Sequence, residues 1–123
     1  MIRRSEFTAL KDRATGLLIL RGYELTSPTT SWFVSRYIPL HLVGLRGNYE
    51  ALCVKLKIAY SSISDGYIES FCRYEICQFR AFLTIYPGNT FLRCEIWVVS
   101  PTGAIHCYEV LPSDIREVAA YAR

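Results

Sequence analysis

Apolar residues near the start of the chain recur at steps of three and four positions, which is the spacing of one helix face. They are Phe7, Leu10, Ala14, Leu17 and Leu18. Gly22 follows at a place where a helix commonly ends. Gly16 lies inside the stretch, and because glycine costs about 1 kcal/mol in a helix relative to alanine, we interpret it as a point of close packing. The pattern predicts an amphipathic first helix.

A hairpin is predicted in the next part of the chain. After a short strand at 23–26, the apolar stretches 40–45 and 51–59 flank a turn at 46–48. Successive side chains of a strand point to opposite faces of a sheet. In the second strand, one face would carry Leu52, Val54, Leu56 and Ile58, and the other Cys53, Lys55, Lys57 and Ala59. Two lysines are therefore expected side by side on one face.

The second half of the chain predicts a helix, a second hairpin and a closing helix. The helical stripe consists of Ile68, Phe71, Cys72, Ile76, Phe79 and Leu83. Strands are expected at 92–99 and 104–110. A short helix after Pro112 would carry Ile115, Val118 and Ala119 on one side. The order α-β-β-β-α-β-β-α predicts a single α/β domain over 1–123, with a central mixed β-sheet flanked by helices.

Composition favours a folded domain outside the membrane. The 123 residues are 51% apolar and 20% charged, and no apolar run approaches the roughly 20 residues of a membrane span. No apolar signal core follows Met1, so we expect a cytoplasmic protein without a membrane partner. The five cysteines, an odd number, favour buried free thiols. The formal charge is +3, and residues 1–60 carry nine Lys or Arg against four Asp or Glu.

Three stretches carry a resemblance to a known family. They are LILRGYEL at 18–25, LHLVGL at 40–45 and ALCVKLKIA at 51–59. Together with the order of elements, they make the chain similar to the restriction-endonuclease-like superfamily, and within it to the archaeal Holliday-junction resolvases, over roughly residues 6–111. The resemblance implies that fold, a DNA-binding face on the sheet and, because the resolvases are dimers, a homodimer.

The metal-binding carboxylates of that family do not carry over. In the family, an Asp ending one strand and a Glu-x-Lys on the next strand hold a divalent metal that activates water. Here His41 stands at the Asp position, Lys55 at the Glu position and Lys57 at the Lys position. Two neighbouring ammonium groups repel Mg²⁺, so we expect no metal and no other cofactor, and the replaced acids argue against catalysis without deciding it.

Several other chemical interpretations are weaker. His41 is either a general base or a hydrogen-bonded structural residue. Cys72 and Cys77 with His106 could bind zinc, although their place in a helical stripe favours core packing. Displaced acids could restore a metal site, and the candidates are Asp12, Glu24, Glu50 and Glu75.

Three functions remain open at the level of sequence. The first is a non-catalytic protein that binds DNA or another nucleic acid through a basic face. That face would comprise Lys55, Lys57, Arg46, Arg36, Arg13 and Lys11. The second is a protein-interaction or homodimerisation module that keeps only the fold, with an aromatic patch of Trp32, Phe33, Tyr37 and Tyr60. The third is a metal-dependent nuclease with displaced acids.

Overall fold

One open mixed sheet of six strands organises the computed structural model, which describes residues 4–26, 40–47, 50–61, 67–85 and 92–118. The strands are β1 (Glu24–Thr26), β2 (Leu42–Arg46), β3 (Glu50–Ile58), β4 (Leu92–Val99), β5 (Ile105–Val110) and β6 (Ile115–Val118). They lie side by side in chain order. Neighbouring strands are antiparallel except β3 and β4, which are parallel. The helices are α1 (Arg4–Leu20), α2 (Ile68–Phe71) and α3 (Arg73–Ile85). The predicted single α/β domain with a mixed sheet is confirmed.

Helix α1 ends as its sequence predicts. Gly22 has a φ of 93°, a left-handed conformation that glycine adopts without strain. Its N–H donates to the Ile19 carbonyl at 2.9 Å, and the Tyr23 N–H donates to the Leu18 carbonyl at 3.2 Å, which satisfies two carbonyls of the last turn. Gly16, in contrast, is exposed, and a Cβ at that position would meet nothing within 4 Å. The interpretation of Gly16 as a point of close packing is wrong.

The sheet has a buried core on each face, because α1 packs on one side and α2 with α3 on the other. The core under α1 comprises Leu10, Ala14, Leu18, Tyr23, Leu42, Leu52, Val54, Leu56, Trp97, Val99 and Cys107. The core under α2 and α3 includes Ala51, Cys53, Ile68, Cys72, Ile76, Phe79, Phe82, Cys94 and Ile96. The predicted two faces of β3 are confirmed, and both of them are covered.

The second helical stripe forms two consecutive helices rather than one. Cys72 lies between α2 and α3, yet the Cys72 N–H donates to the Ile68 carbonyl and the Ile76 N–H donates to the Cys72 carbonyl. Hydrogen bonds four residues apart therefore continue through the junction. The apolar side chains consequently remain on one face across both helices.

The predicted closing helix is wrong, since β6 occupies that position and pairs with β5. Pro112 lies in a four-residue loop in which the Leu111 N–H donates to the Asp114 carbonyl at 2.9 Å. Ile115 then pairs with Val110 across the hairpin. Pro112 fits this loop because it has no N–H to satisfy. Ile115 and Val118 are β-branched and three positions apart. This spacing fits both the ends of a four-residue strand and one turn of a helix, so it does not distinguish a strand from a helix.

Candidate functional site

Lys55 and Lys57 extend from neighbouring positions of the same β3 face toward α2 and α3. The Lys55 ammonium donates to the side-chain oxygen of Gln78 at 2.8 Å. The Lys57 ammonium donates to the Phe71 carbonyl at 2.7 Å and to the Glu75 carboxylate at 2.9 and 3.1 Å. Lys57 therefore binds the last residue of α2 and a carboxylate of α3, and it stabilises the junction between the two helices.

The two lysines differ in how their charge is balanced. Lys57 forms an ion pair with Glu75, and its side chain is 24% exposed. Lys55 is only 8% exposed, and within the described part of the chain the acceptor of its hydrogen bond is a neutral amide. Burial lowers the pKa of Lys55, Glu75 opposes this change and Lys57 adds to it. Burying a charge without an opposite charge in contact is costly, so Lys55 stands out from an ordinary surface lysine.

His41 accepts a hydrogen bond from the backbone where the β2–β3 ladder ends. The Leu56 N–H donates to its Nδ1 at 2.7 Å, and the His41 N–H donates to the Val54 carbonyl at 3.1 Å. A ring nitrogen that accepts from an N–H carries no proton, so the imidazole is neutral with its proton on Nε2. The ring also packs edge-on against Phe7 of α1, with centroids 5.3 Å apart. These contacts support the structural role of His41.

The charge environment of His41 agrees with the neutral ring. Burial lowers its pKa, and the positive charges of Lys55 and Lys11 lower it further. A histidine with a lowered pKa is unprotonated at neutral pH. Because Nδ1 is already occupied by the Leu56 N–H, that nitrogen is not available as a general base.

The remaining basic candidates do not join the two lysines. Arg46, the last residue of β2, lies on the α1 face and pairs with Glu50 at the start of β3. Glu50 is about 17 Å along the strand from Lys55. Arg13 donates to the Gly103 carbonyl in the turn between β4 and β5. Lys11 is exposed on α1. Arg36 lies outside the described residues, as do the aromatic candidates Trp32, Phe33 and Tyr37.

Exposed aromatic rings accompany the lysines along one flank of α2 and α3. Tyr67 is 54% exposed, and its ring lies 6.5 Å from that of Phe71. The Lys57 ammonium lies 4.5 Å from the Phe71 ring centroid. Tyr74 is 69% exposed, and the Lys55 ammonium lies 5.9 Å from its ring centroid. We call the three aromatic residues Tyr67, Phe71 and Tyr74, together with Gln78 on the same flank, the aromatic row. Sequence reasoning missed it, although their spacing of four, three and four residues is visible in the sequence.

A second polar network, also missed, lies under α1. The Arg21 guanidinium binds both oxygens of Glu95, at 2.6 and 2.9 Å, and the Trp97 Nε1 and the Arg93 Nε donate to the same carboxylate at 2.9 and 2.7 Å. Glu95 is fully buried. Burial would raise its pKa, but the hydrogen bonds and charge of Arg21, together with Trp97 and Arg93, lower it. A neighbouring set joins Tyr23 and Arg46 to Glu50.

The acidic candidates for a displaced metal site are placed apart or already paired. Asp12 and Glu24 are exposed on α1 and β1. Glu50 pairs with Arg46, and Glu75 with Lys57. Among the described residues, no group of three or more His, Cys, Asp or Glu is arranged to hold a metal ion.

The five thiols are free, and four of them are buried as the sequence predicts. Burial raises the pKa of Cys72 to about 11 and that of Cys107 to about 12, which makes these thiols unreactive at neutral pH. Cys77 is the exception, because it is exposed on α3. It lines a shallow groove of about 240 Å³ together with Glu69, Ser70, Arg73, Ile76 and Arg80.

Comparisons with known proteins identify no relative. Protein-family models, curated proteins and solved structures were each searched, and none matches this chain. In the described residues, the helices fall short of the length and apolar character needed to cross a lipid bilayer.

Proposed function

We propose that this chain binds nucleic acid without cleaving it and that the contact surface is the aromatic row with Lys55 and Lys57. The observation that carries the proposal is the position of two ammonium groups on one face of β3, beside a row of partly exposed rings. Basic groups supply the phosphate contacts of such proteins, and aromatic rings contact their bases.

Charge balance supports an anionic partner. Lys55, Lys57 and Glu75 leave one positive charge on this flank, and Lys55 hydrogen-bonds to an amide rather than to a carboxylate. An ammonium group has three donors, so the bond to Gln78 leaves Lys55 able to donate to a phosphate oxygen at the edge of the helix. The non-catalytic part of the proposal is supported by the pairing of Glu50 with Arg46 and of Glu75 with Lys57.

The resemblance to the restriction-endonuclease-like superfamily and its resolvases is part of the same proposal. It is supported by the succession of α1, three strands, the helical pair and two further strands. On that interpretation the protein has kept the fold and replaced a metal-binding sheet with a basic one.

Binding of a labelled 20-nucleotide single strand, a duplex and a four-way junction tests this function by fluorescence anisotropy, in EDTA and at two salt concentrations. Affinity should fall with salt by about 0.9 log units per log unit for each duplex phosphate contacted. The Lys55→Gln/Lys57→Gln variant should reduce that slope by about 1, because Glu75 already neutralises Lys57 and only Lys55 has donors left for a phosphate. The Arg73→Gln/Arg116→Gln variant removes the same charge from other surfaces and should leave the slope unchanged.

Three outcomes would overturn the proposal. The first is the absence of binding to every probe, and the second is an affinity that does not change with salt concentration. The third is an equal salt slope for the two double variants when circular dichroism verifies that both are folded. The same probes incubated with Mg²⁺ or Mn²⁺ test the displaced-acid nuclease, because metal-dependent cutting would replace the non-catalytic interpretation.

A homodimerisation or protein-interaction module is the second candidate. Ile19 and Leu20 at the end of α1 are 57% and 51% exposed, and Leu25 on the edge strand β1 is 48% exposed. Apolar side chains grouped in this way are typical of a subunit contact. Sedimentation equilibrium of the wild type and of Ile19→Ser/Leu20→Ser measures this directly, and a concentration-dependent dimer lost in the variant would favour the module.

A further inference from the structure

The aromatic row is continuous across the junction between α2 and α3. Tyr67, Phe71, Tyr74 and Gln78 follow at steps of four, three and four residues, and hydrogen bonds four residues apart continue through Cys72. Side chains at this spacing lie on one flank of a helix. At about 1.5 Å per residue, the two exposed tyrosines are about 10 Å apart along the axis. Stacked bases are about 3.4 Å apart along a strand, so each ring is available to a different base.

Tyr74 is held in place although its ring is exposed. Its hydroxyl accepts a hydrogen bond from the Gln78 amide at 3.2 Å, and Gln78 in turn accepts one from Lys55 at 2.8 Å. Lys55 also lies within cation–π range of the Tyr74 ring. Tyr74 is therefore oriented before any partner arrives, which lowers the entropy lost when a ligand stacks on it.

Tyr67 is supported in a similar way. Its ring is tilted by 31° against that of Phe71, and the Lys57 ammonium lies 4.5 Å from the Phe71 ring centroid. The Tyr74 ring thus lies beside the Lys55 ammonium directly, whereas Tyr67 packs on the Phe71 ring, which itself lies beside the Lys57 ammonium. An aromatic face next to a positive charge suits the flat, electron-rich base and the phosphate of the same nucleotide.

We propose that the aromatic row stacks on unpaired bases, so that the partner is single-stranded rather than double-stranded nucleic acid. This inference rests on the proposed function and specifies its substrate class. In a duplex each base is stacked between its neighbours, and a side chain reaches only its edges in the grooves. The faces of Tyr67 and Tyr74 can be covered by a base only when that base is unstacked.

The decisive probe pair is a labelled 20-nucleotide thymidine strand and an abasic strand of equal length, which has the same phosphates but no bases. The wild type should bind the thymidine strand more tightly by a factor of about 5 to 150 for each stacked base. Tyr74→Leu should lose one such factor, because the Tyr67 ring remains, while its affinity for the abasic strand and its salt slope stay unchanged. Tyr74→Phe keeps the ring without the hydroxyl and should retain the preference.

Tyr60→Leu is the matched control, since Tyr60 is 75% exposed but lies outside the row. Equal, salt-dependent binding of both strands by the wild type would overturn the stacking proposal and leave nucleic-acid binding intact. Failure to bind either strand would overturn both the stacking proposal and the proposal of nucleic-acid binding. A preference for the thymidine strand that is undiminished in Tyr74→Leu would also overturn the stacking proposal, as would a dimer of the unliganded wild type that Tyr74→Leu dissociates.

Discussion

Replacing Arg21 with Met should lower the free energy of unfolding by about 3 kcal/mol. The Arg21 and Glu95 side chains are 6% and 0% exposed, so the substitution leaves a carboxylate in the core without its main partner. Breaking a buried ion pair in this way costs about 3–5 kcal/mol. We expect the lower end of this range because Arg93 and the Trp97 indole still donate to Glu95.

Urea unfolding at pH 7, followed by circular dichroism, measures this cost. With a slope of about 2 kcal/mol per M, the midpoint should fall by about 1.5 M. The matched control is Arg116→Met, because Arg116 also binds a glutamate but is 61% exposed, and it should cost at most about 1 kcal/mol. The Arg21→Met/Glu95→Leu double variant should be more stable than Arg21→Met, since it also removes the buried carboxylate that has lost its main partner.

The pH dependence gives an independent check of the same pair. The folded-state pKa of Glu95 is lowered, so its contribution is fully present above the unfolded value of about 4.3 and is lost as pH falls through the folded value. Arg21→Met should reduce this acid-side loss. If Arg21→Met costs less than about 1 kcal/mol at pH 7 and the acid-side loss is unchanged, the network does not stabilise the fold as argued.

Two further predictions concern His41 and the glycines. The pKa of His41 is lowered in the folded state, so wild-type stability should decline as pH falls below the unfolded pKa of about 6.5. His41→Asn keeps a hydrogen-bond acceptor but does not titrate. It should reduce this decline in thermal melts between pH 8 and 5. Gly44→Ala should destabilise by about 1–3 kcal/mol, because its Cβ would lie 2.9 Å from the Tyr23 Cβ and 3.0 Å from Leu18. Gly16→Ala meets no atom and should stabilise α1 by about 1 kcal/mol, and an equal effect of the two alanines on urea unfolding would contradict the packing argument.

Local periodicity was sufficient to predict most of the elements. The three- and four-residue steps located α1 and the helical pair, and the alternation in β3 assigned each of its side chains to a face. The predicted closing helix failed because the four residues of β6 are too few to separate a helix period from a strand that a neighbour can pair with, and its third apolar residue, Ala119, lies outside the described residues. The β5–β6 hairpin depends on a partner strand, and a single-segment pattern contains no information about partners.

The candidate site was harder to predict because it depends on contacts between distant segments. Alternation placed Lys55 and Lys57 on one face, but only the packing of α3 reveals that Gln78 and Glu75 supply their acceptors. Arg21 and Glu95 are 74 residues apart in the chain, and neither belongs to a motif that would suggest a buried pair. Alternation therefore predicted the face of the two lysines but not their acceptors, and no sequence pattern indicated the buried Arg21–Glu95 pair.

The directions of the His41, Lys55 and Lys57 side chains bear on the proposed loss of a metal site, independently of residue type. The His41 ring packs against Phe7 of α1, whereas the Lys55 and Lys57 ammonium groups contact α2 and α3. A divalent metal requires ligand oxygens within about 2.0–2.6 Å of one point. Because these positions are directed toward helices on opposite faces of the sheet, restoring Asp and Glu there would supply the correct atoms without bringing them together.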